Sequence, residues 1–173
     1  MQFEIPLRTV YHTIRFAESE GIRCIVNPAP ALAVDFKQLS GADYFIPNEN
    51  EAEIITGMPV HSLDEAMKCA NFLLRQGIKR VVLTLGERGS LLAGPEGTEL
   101  IPAFKVKAID TTGAGDAFIG SFAVFLGEGM QEKEALTRAN LYAALSTTNV
   151  GTQKSFVNRP DFEREWQIHS TRL

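Results

Sequence analysis

Between Ile109 and Gly120 the sequence reads IDTTGAGDAFIG, setting two aspartates around a glycine-alanine-glycine turn. Ahead of it, Phe104 to Asp110 alternates apolar and polar residues and predicts a strand. Behind it, Phe118, Phe122, Phe125 and Leu126 fall on one face of a helix starting near Gly115. The turn is therefore expected at a helix N-terminus, where backbone N–H groups lack intrahelical acceptors and the positive end of the helix dipole favours an anion. Small residues at 113, 114 and 115 keep that backbone open to a bulky anion such as a phosphate. Asp116, in the first helical turn, would repel a resting phosphate but suits a hydroxyl whose proton must leave as its oxygen attacks. An anion cradle beside a base is an arrangement for phosphoryl transfer. Asp also caps helices in the ordinary way, and glycine turns commonly precede helices, so this stretch alone leaves both readings open. Neither GxxxxGK[ST] nor a GxGxxG following a strand occurs, which disfavours a P-loop NTPase and a dinucleotide enzyme.

The elements that must position this turn alternate between strand and helix patterns, the mark of an α/β fold. Leu7, Val10, Tyr11, Ile14 and Ala17 line one face of a helix that begins near Pro6 and ends at Gly21. IRCIV reads as a short buried strand and NPAPA as an extended loop. DYFIP is a second strand, after which Asn48 can cap a helix closed by Gly57, with Glu51 on a solvated face. Ser62 and Glu65 form a capping box for a helix to about Gln76, and RVVLTLG reads as a buried parallel strand. Residues 89 to 109 break into short alternating runs, as antiparallel edge strands would. Two helical stretches follow the glycine turn, then the loop NVGTQKSF and a short amphipathic C-terminal piece.

Composition narrows the function class. With 173 residues, 45% hydrophobic and 22% charged, the chain reads as one globular domain over residues 1–173. A net charge of -4 with scattered basic residues gives no reason to expect a nucleic-acid partner. No apolar run is long enough for a membrane span and no leader pattern opens the chain, so a cytoplasmic location is expected. Cys24 and Cys69 are isolated and read as buried reduced thiols. The three histidines share no ligand spacing, so no His/Cys metal site is expected.

NPAPA, PNENEAEIITG, TLGERG, DTTGAGDAF (110–118) and GTQKS, in this order, resemble the motifs of the ribokinase, or PfkB, family of carbohydrate kinases, and span about Gln2 to Ser155. Gln2 and Glu4, as Q-x-E, together with NPAPA look most like its ribokinase and deoxyribokinase branch. The resemblance implies a three-layer α/β/α sandwich, mostly parallel with antiparallel edge strands, and an ATP-dependent kinase of D-ribose or 2-deoxy-D-ribose. A hexose, a nucleoside or a vitamin alcohol is the alternative acceptor, and a nucleotide- and cation-binding protein without turnover is the alternative role.

Residue by residue, the resemblance makes Asp116 the base that takes the proton of the sugar hydroxyl, and Gly113, Ala114 and Gly115 the anion hole. It makes Asn48 and Glu51 the NxxE pair that organises Mg²⁺ and its waters, and Thr84 and Gly86 nucleotide contacts at the C-terminal edge of their strand. Asn140 is implied near the adenine and Glu4 at the sugar. Asp110 and Thr112, with backbone near Ser146 and Gly151 and with Ser155, are implied to hold a monovalent cation, K⁺. The family also carries an N-terminal segment with a sugar lid and a GGKGAN-type motif that this sequence does not show. The expectation that follows is an exposed sheet edge suited to homodimerisation, and weak or absent sugar kinase activity of this chain alone.

Overall fold

The computed structural model describes residues 1–171, which pack into two compact units. The first comprises Met1–Leu85 and Leu91–Leu100, and the second comprises Gly86–Ser90 and the chain from Ile101 onward.

In the first unit, helix α1 (Leu7–Ser19) buries Val10, Ile14 and Ala17, the face read from its apolar spacing, with Pro6 at its N-cap. Strand β1 (Ile25–Val26) and strand β2 (Tyr44–Phe45) pair in parallel, Ile25 opposite Tyr44 and Val26 opposite Phe45. Between them the chain passes through NPAPA and a single-turn helix, α2 (Phe36–Leu39), which Asp35 caps by accepting from the Lys37 N–H. A parallel pair requires such a crossover because a tight hairpin cannot return the chain in the same direction.

Helix α3 (Glu49–Thr56) ends at Gly57, whose φ of 69° lies in the left-handed region. Helix α4 (Leu63–Arg75) opens with the expected Ser62/Glu65 capping box. Strand β3 (Val81–Thr84) then pairs in parallel with β2 through Phe45 and Val81. Strands β4 (Ser90–Gly94) and β5 (Gly97–Ile101) complete the sheet in the order β1-β2-β3-β4-β5. The two-residue link between them imposes an antiparallel course, so the sheet is mixed as expected.

On the outer side of β1 lies the start of the chain. The Met1 amine donates to the Ile25 carbonyl, Asn27 N–H to the Met1 carbonyl and Phe3 N–H to the Ala29 carbonyl. The core of this unit joins α1 and α4 to the sheet through Ile14, Phe45, Cys69, Leu73, Val81 and Leu83. Full burial of a side chain such as Leu73 stabilises by about 1.5–3 kcal/mol. Cys24 and Cys69 are buried free thiols, and burial pushes both thiol pKa values up.

In the second unit, helices α5 (Ala114–Gly127) and α6 (Glu132–Ser146) pack against each other, and α7 (Arg159–Ser170) joins them. Phe118, Phe122, Phe125 and Leu126 are all buried, the face read from the sequence. Phe118 stacks on Phe122 at 6.3 Å, and Phe125 meets Phe162 of α7 at 5.4 Å. The Arg138 guanidinium of α6 lies 4.4 Å from the Trp166 ring centre and 3.2 Å from Glu163, binding α6 to α7.

One expected element is absent. Residues 102 to 111 form no strand; Phe104 to Lys107 alternates between half-buried and exposed, but Lys107, Ala108 and Ile109 are exposed in succession. Alternation records only which side chains point inward. A strand also needs a neighbouring backbone to bond to, and here Ile109 and Asp110 both turn their N–H groups to one carbonyl, that of Thr147, at 2.7 and 3.1 Å.

Candidate functional site

The candidate residues fall in both units. In the first, β2 ends at Phe45 and the chain turns through Ile46 and Pro47 into Asn48, the N-cap of α3. Asn48 Oδ1 accepts from the Glu51 N–H at 2.8 Å, and Glu51 Oε2 accepts from the Asn48 N–H at 2.8 Å, a reciprocal capping box. Thr84, at the C-terminal edge of β3, donates its N–H to the Pro47 carbonyl at 3.0 Å and bridges in parallel to Asn48. The NxxE pair is therefore fixed beside the strand edge where ligands of open α/β sheets gather.

Glu51 is half-buried rather than on the solvated face its helical position allows. Burial raises its carboxyl pKa, while hydrogen bonds from the Asn48 backbone and the Asn27 side chain pull it down. The second donor is a residue that sequence reasoning missed. Asn27 was legible only as the first residue of an extended loop, yet its amide is buried and reaches Glu51 Oε2 at 3.4 Å and the Ile46 carbonyl at 2.9 Å. A polar side chain closing a buried strand, directly before a proline, was the available signal. Glu51 Oε1 accepts nothing among the described residues, and no cluster of three or more His, Cys, Asp or Glu side chains lies among them. One free carboxylate oxygen with an amide beside it suits a hard cation that keeps most of its water, and does not suit a dehydrated metal cage. Glu4 is exposed, next to Phe3, whose N–H is bonded into the NPAPA loop.

In the second unit, Gly113 is the N-cap of α5, with φ of 80°. A Cβ there would stand 3.1 Å from Thr152 Cγ2, so both backbone conformation and space require glycine. Ala114 donates its N–H to the Thr111 carbonyl at 3.2 Å, which removes it from the set of outward donors in this conformation. The N–H groups of Gly113 and Gly115 bond to no backbone carbonyl among the described residues, and a Cβ on Gly115 would meet nothing within 4 Å. Asp116 is exposed in the first turn of α5. Beside it opens a mainly apolar groove of about 290 Å³, bordered by Gly120, Val124, Tyr142, Phe156 and Phe162.

Asp110 joins two loops of this unit. Its Oδ1 accepts from the Thr112 N–H and its Oδ2 from the Gly151 N–H, each at 2.9 Å. The Thr112 side chain, with these two amides, holds its carboxyl down at about 2, far below the ordinary range. The hydroxyls of the buried Ser146 and Ser155 donate to the Ala143 and Thr152 carbonyls. A carboxylate kept ionised between two loops rich in backbone carbonyls fits a monovalent cation. Gly86, with φ of 54°, starts a single 3₁₀ turn to Arg88. Asn140 is buried, and its amide donates to the Ile101 and Pro102 carbonyls, linking α6 to the chain that leaves β5. No helix among the described residues is long and apolar enough to cross a membrane.

The profile of pfkB family carbohydrate kinases matches residues 1–159. A deoxyribokinase of Salmonella typhi is 42% identical over 163 residues, 94% of this chain and 53% of that protein. A ribokinase of Haemophilus influenzae is 38% identical over 161 residues, 93% and 53% of the two chains. Among solved structures, a ribokinase of Thermotoga maritima aligns with a TM-score of 0.84 at 36% identity, covering 96% of this chain and 55% of that one. An Arabidopsis thaliana ribokinase complexed with ribose and ATP aligns with a TM-score of 0.89 at 27% identity, covering 94% and 53%. The chain spans about half the length of the curated relatives it matches. The mixed sheet flanked by helices, the glycine-headed α5 and the match over most of its length establish that this chain belongs to the pfkB family of carbohydrate kinases.

Proposed function

We propose that this chain carries the nucleotide-handling and proton-accepting part of an ATP-dependent kinase that phosphorylates a pentose, D-ribose or 2-deoxy-D-ribose, at its 5-hydroxyl. The observation that carries the reading is the N-terminus of α5, where Gly113 and Gly115 offer N–H groups and Asp116 stands in the first turn. The deoxyribokinase and ribokinase relatives, one of them complexed with ribose and ATP, support the choice of sugar and nucleotide.

In the reaction the 5-hydroxyl oxygen bonds to the γ-phosphorus and its proton passes to the Asp116 carboxylate. The bond from the γ-phosphorus to the bridging oxygen breaks, with both electrons leaving on ADP. The N–H groups of Gly113 and Gly115 stabilise the charge that develops on the transferred group, each such donor being worth about 3–4 kcal/mol of barrier. Mg²⁺, when bound, neutralises phosphate charge, and Glu51 Oε1 with Asn48 would hold its water shell, with Thr84 and Gly86 as nucleotide contacts. Asp110, Thr112 and the backbone near Ser146, Gly151 and Ser155 would hold K⁺ and thereby keep the turn before α5 in place. Glu4 is the sugar contact and Asn140 the residue near the adenine. Homodimerisation along the outer side of the Met1–Phe3 segment belongs to the same reading, as does a cytoplasmic location; a solution mass independent of concentration refutes the dimer.

Coverage of about half of each relative favours a second reading, in which the chain binds nucleotide and cation without turnover. The test is ATP consumption with Mg²⁺ and K⁺ in the presence of D-ribose, 2-deoxy-D-ribose or no sugar, for wild type and Asp116→Asn. Sugar-dependent turnover that falls about 10²- to 10⁴-fold in the variant, with ATP affinity retained, supports the kinase. ATP binding without turnover in wild type supports the second reading, and turnover unchanged by Asp116→Asn overturns the role of that carboxylate.

A further inference from the structure

We infer that Asn27 is a positioning residue that holds the Glu51 carboxylate in the orientation in which it receives a hydrated divalent cation; this rests on the reading of Glu51 given under the proposed function. Asn27 directly follows β1, and its N–H donates to the Met1 carbonyl at 2.9 Å, which fixes its backbone. Its side chain is 7% exposed, and Nδ2 has two hydrogens with two acceptors in reach, the Ile46 carbonyl at 2.9 Å and Glu51 Oε2 at 3.4 Å. The first contact anchors the amide to the end of β2. The second directs it at the carboxylate.

Glu51 Oε2 thus receives two donors from different elements, Asn48 N–H at the head of α3 and the Asn27 amide directly after β1. With one oxygen held twice, the carboxylate loses its freedom to pivot, and Oε1 is presented without an acceptor role among the described residues. The nature of the donor matters as much as its place. No basic side chain pairs with Glu51 among the described residues, so a neutral amide orients the carboxylate while leaving its negative charge for a cation. An arginine or lysine at the same point would satisfy the geometry and cancel the charge.

The test is titration of Mn²⁺ into the full chain with ADP, followed by electron paramagnetic resonance, for wild type, Asn27→Ala, Glu51→Gln and the double variant. Loss of a hydrogen-bond partner behind a metal-binding group typically lowers metal affinity 10- to 100-fold. Asn27→Ala is expected to weaken Mn²⁺ binding by about tenfold, while ADP affinity without metal is unchanged and the thermal melt stays cooperative. In the Glu51→Gln background the same substitution is expected to add less than about twofold, because the group it positions is gone. Equal Mn²⁺ affinity in wild type and Asn27→Ala, or the same loss in both backgrounds, overturns the inference. Wild type without metal-dependent ADP binding overturns the functional reading itself and the inference with it. If Asn27→Ala fails to fold, Asn27→Ser, which stays polar but is too short to reach Glu51, is measured in its place against the same outcomes.

Discussion

Replacing Gly113 and Gly115 separately by alanine should move stability in opposite directions, although the two residues are neighbours but one in the same turn. At Gly113, φ is 80°, and an added Cβ stands 3.1 and 3.3 Å from the side chain of Thr152. The left-handed conformation alone costs an L-residue about 1–2 kcal/mol, and the β-branched Thr152 has little rotamer freedom with which to retreat. At Gly115, φ is not positive and a Cβ meets nothing within 4 Å, so the substitution gains about 0.5–1 kcal/mol of helix propensity. The two variants should therefore differ by about 1.5–3 kcal/mol. The assay is urea denaturation followed by fluorescence of Trp166, the single tryptophan, which packs on Arg138 within the same unit. A methyl group at Gly115 also stands where the proposed anion approaches, so the more stable variant should bind ATP less well. Gly113→Ala as stable as wild type, or Gly115→Ala destabilised by more than about 0.5 kcal/mol, refutes the geometry assigned to this turn.

Asp110→Asn should weaken the second unit at neutral pH and much less in acid. Its carboxyl is held near 2 in the folded chain, so the stabilisation is complete above the ordinary carboxylate range and is lost as pH falls through about 2; denaturation at pH 7 and pH 2 shows whether the two proteins converge. Phe122→Ala removes a fully buried ring stacked on Phe118 and should cost about 3–5 kcal/mol, read as a lowered midpoint of the Trp166 fluorescence transition in urea; an unchanged midpoint refutes the packing.

Local signals carried the elements that local chemistry decides. Ser62 with Glu65, Asn48 before α3, Gly57 after it and the aromatic spacing in α5 each act within a few residues, and each appears where the sequence places it. What failed was non-local. Phe104 to Asp110 has the alternation of a strand but no ladder partner, a fact recorded nowhere in its own residues. Glu51 reads as solvated because the side chain that meets its carboxylate, Asn27, lies 24 positions earlier in the chain. Ala114 reads as an open donor because nothing in a GAG triplet reveals that its N–H closes a turn onto Thr111. Asp116 was legible as a carboxylate at a helix start; the groove beside it, which α5 shares with Tyr142 of α6, Phe162 of α7 and Phe156 of the loop between them, was not.

The bonds around Asp110 also set the tempo of the chain that carries it. Ile109 and Asp110 N–H groups close on the Thr147 carbonyl, and Thr112 and Gly151 N–H groups close on the Asp110 carboxylate. Four amides in segments without helix or strand are thereby withheld from water. In deuterium exchange they should form an island of slow protons in loops whose other amides exchange fast; those of Ile109, Asp110 and Gly151 should be released together, because these three bonds depend on residues 109–112 staying against residues 147–151, whereas the Thr112 bond closes within residues 110–112.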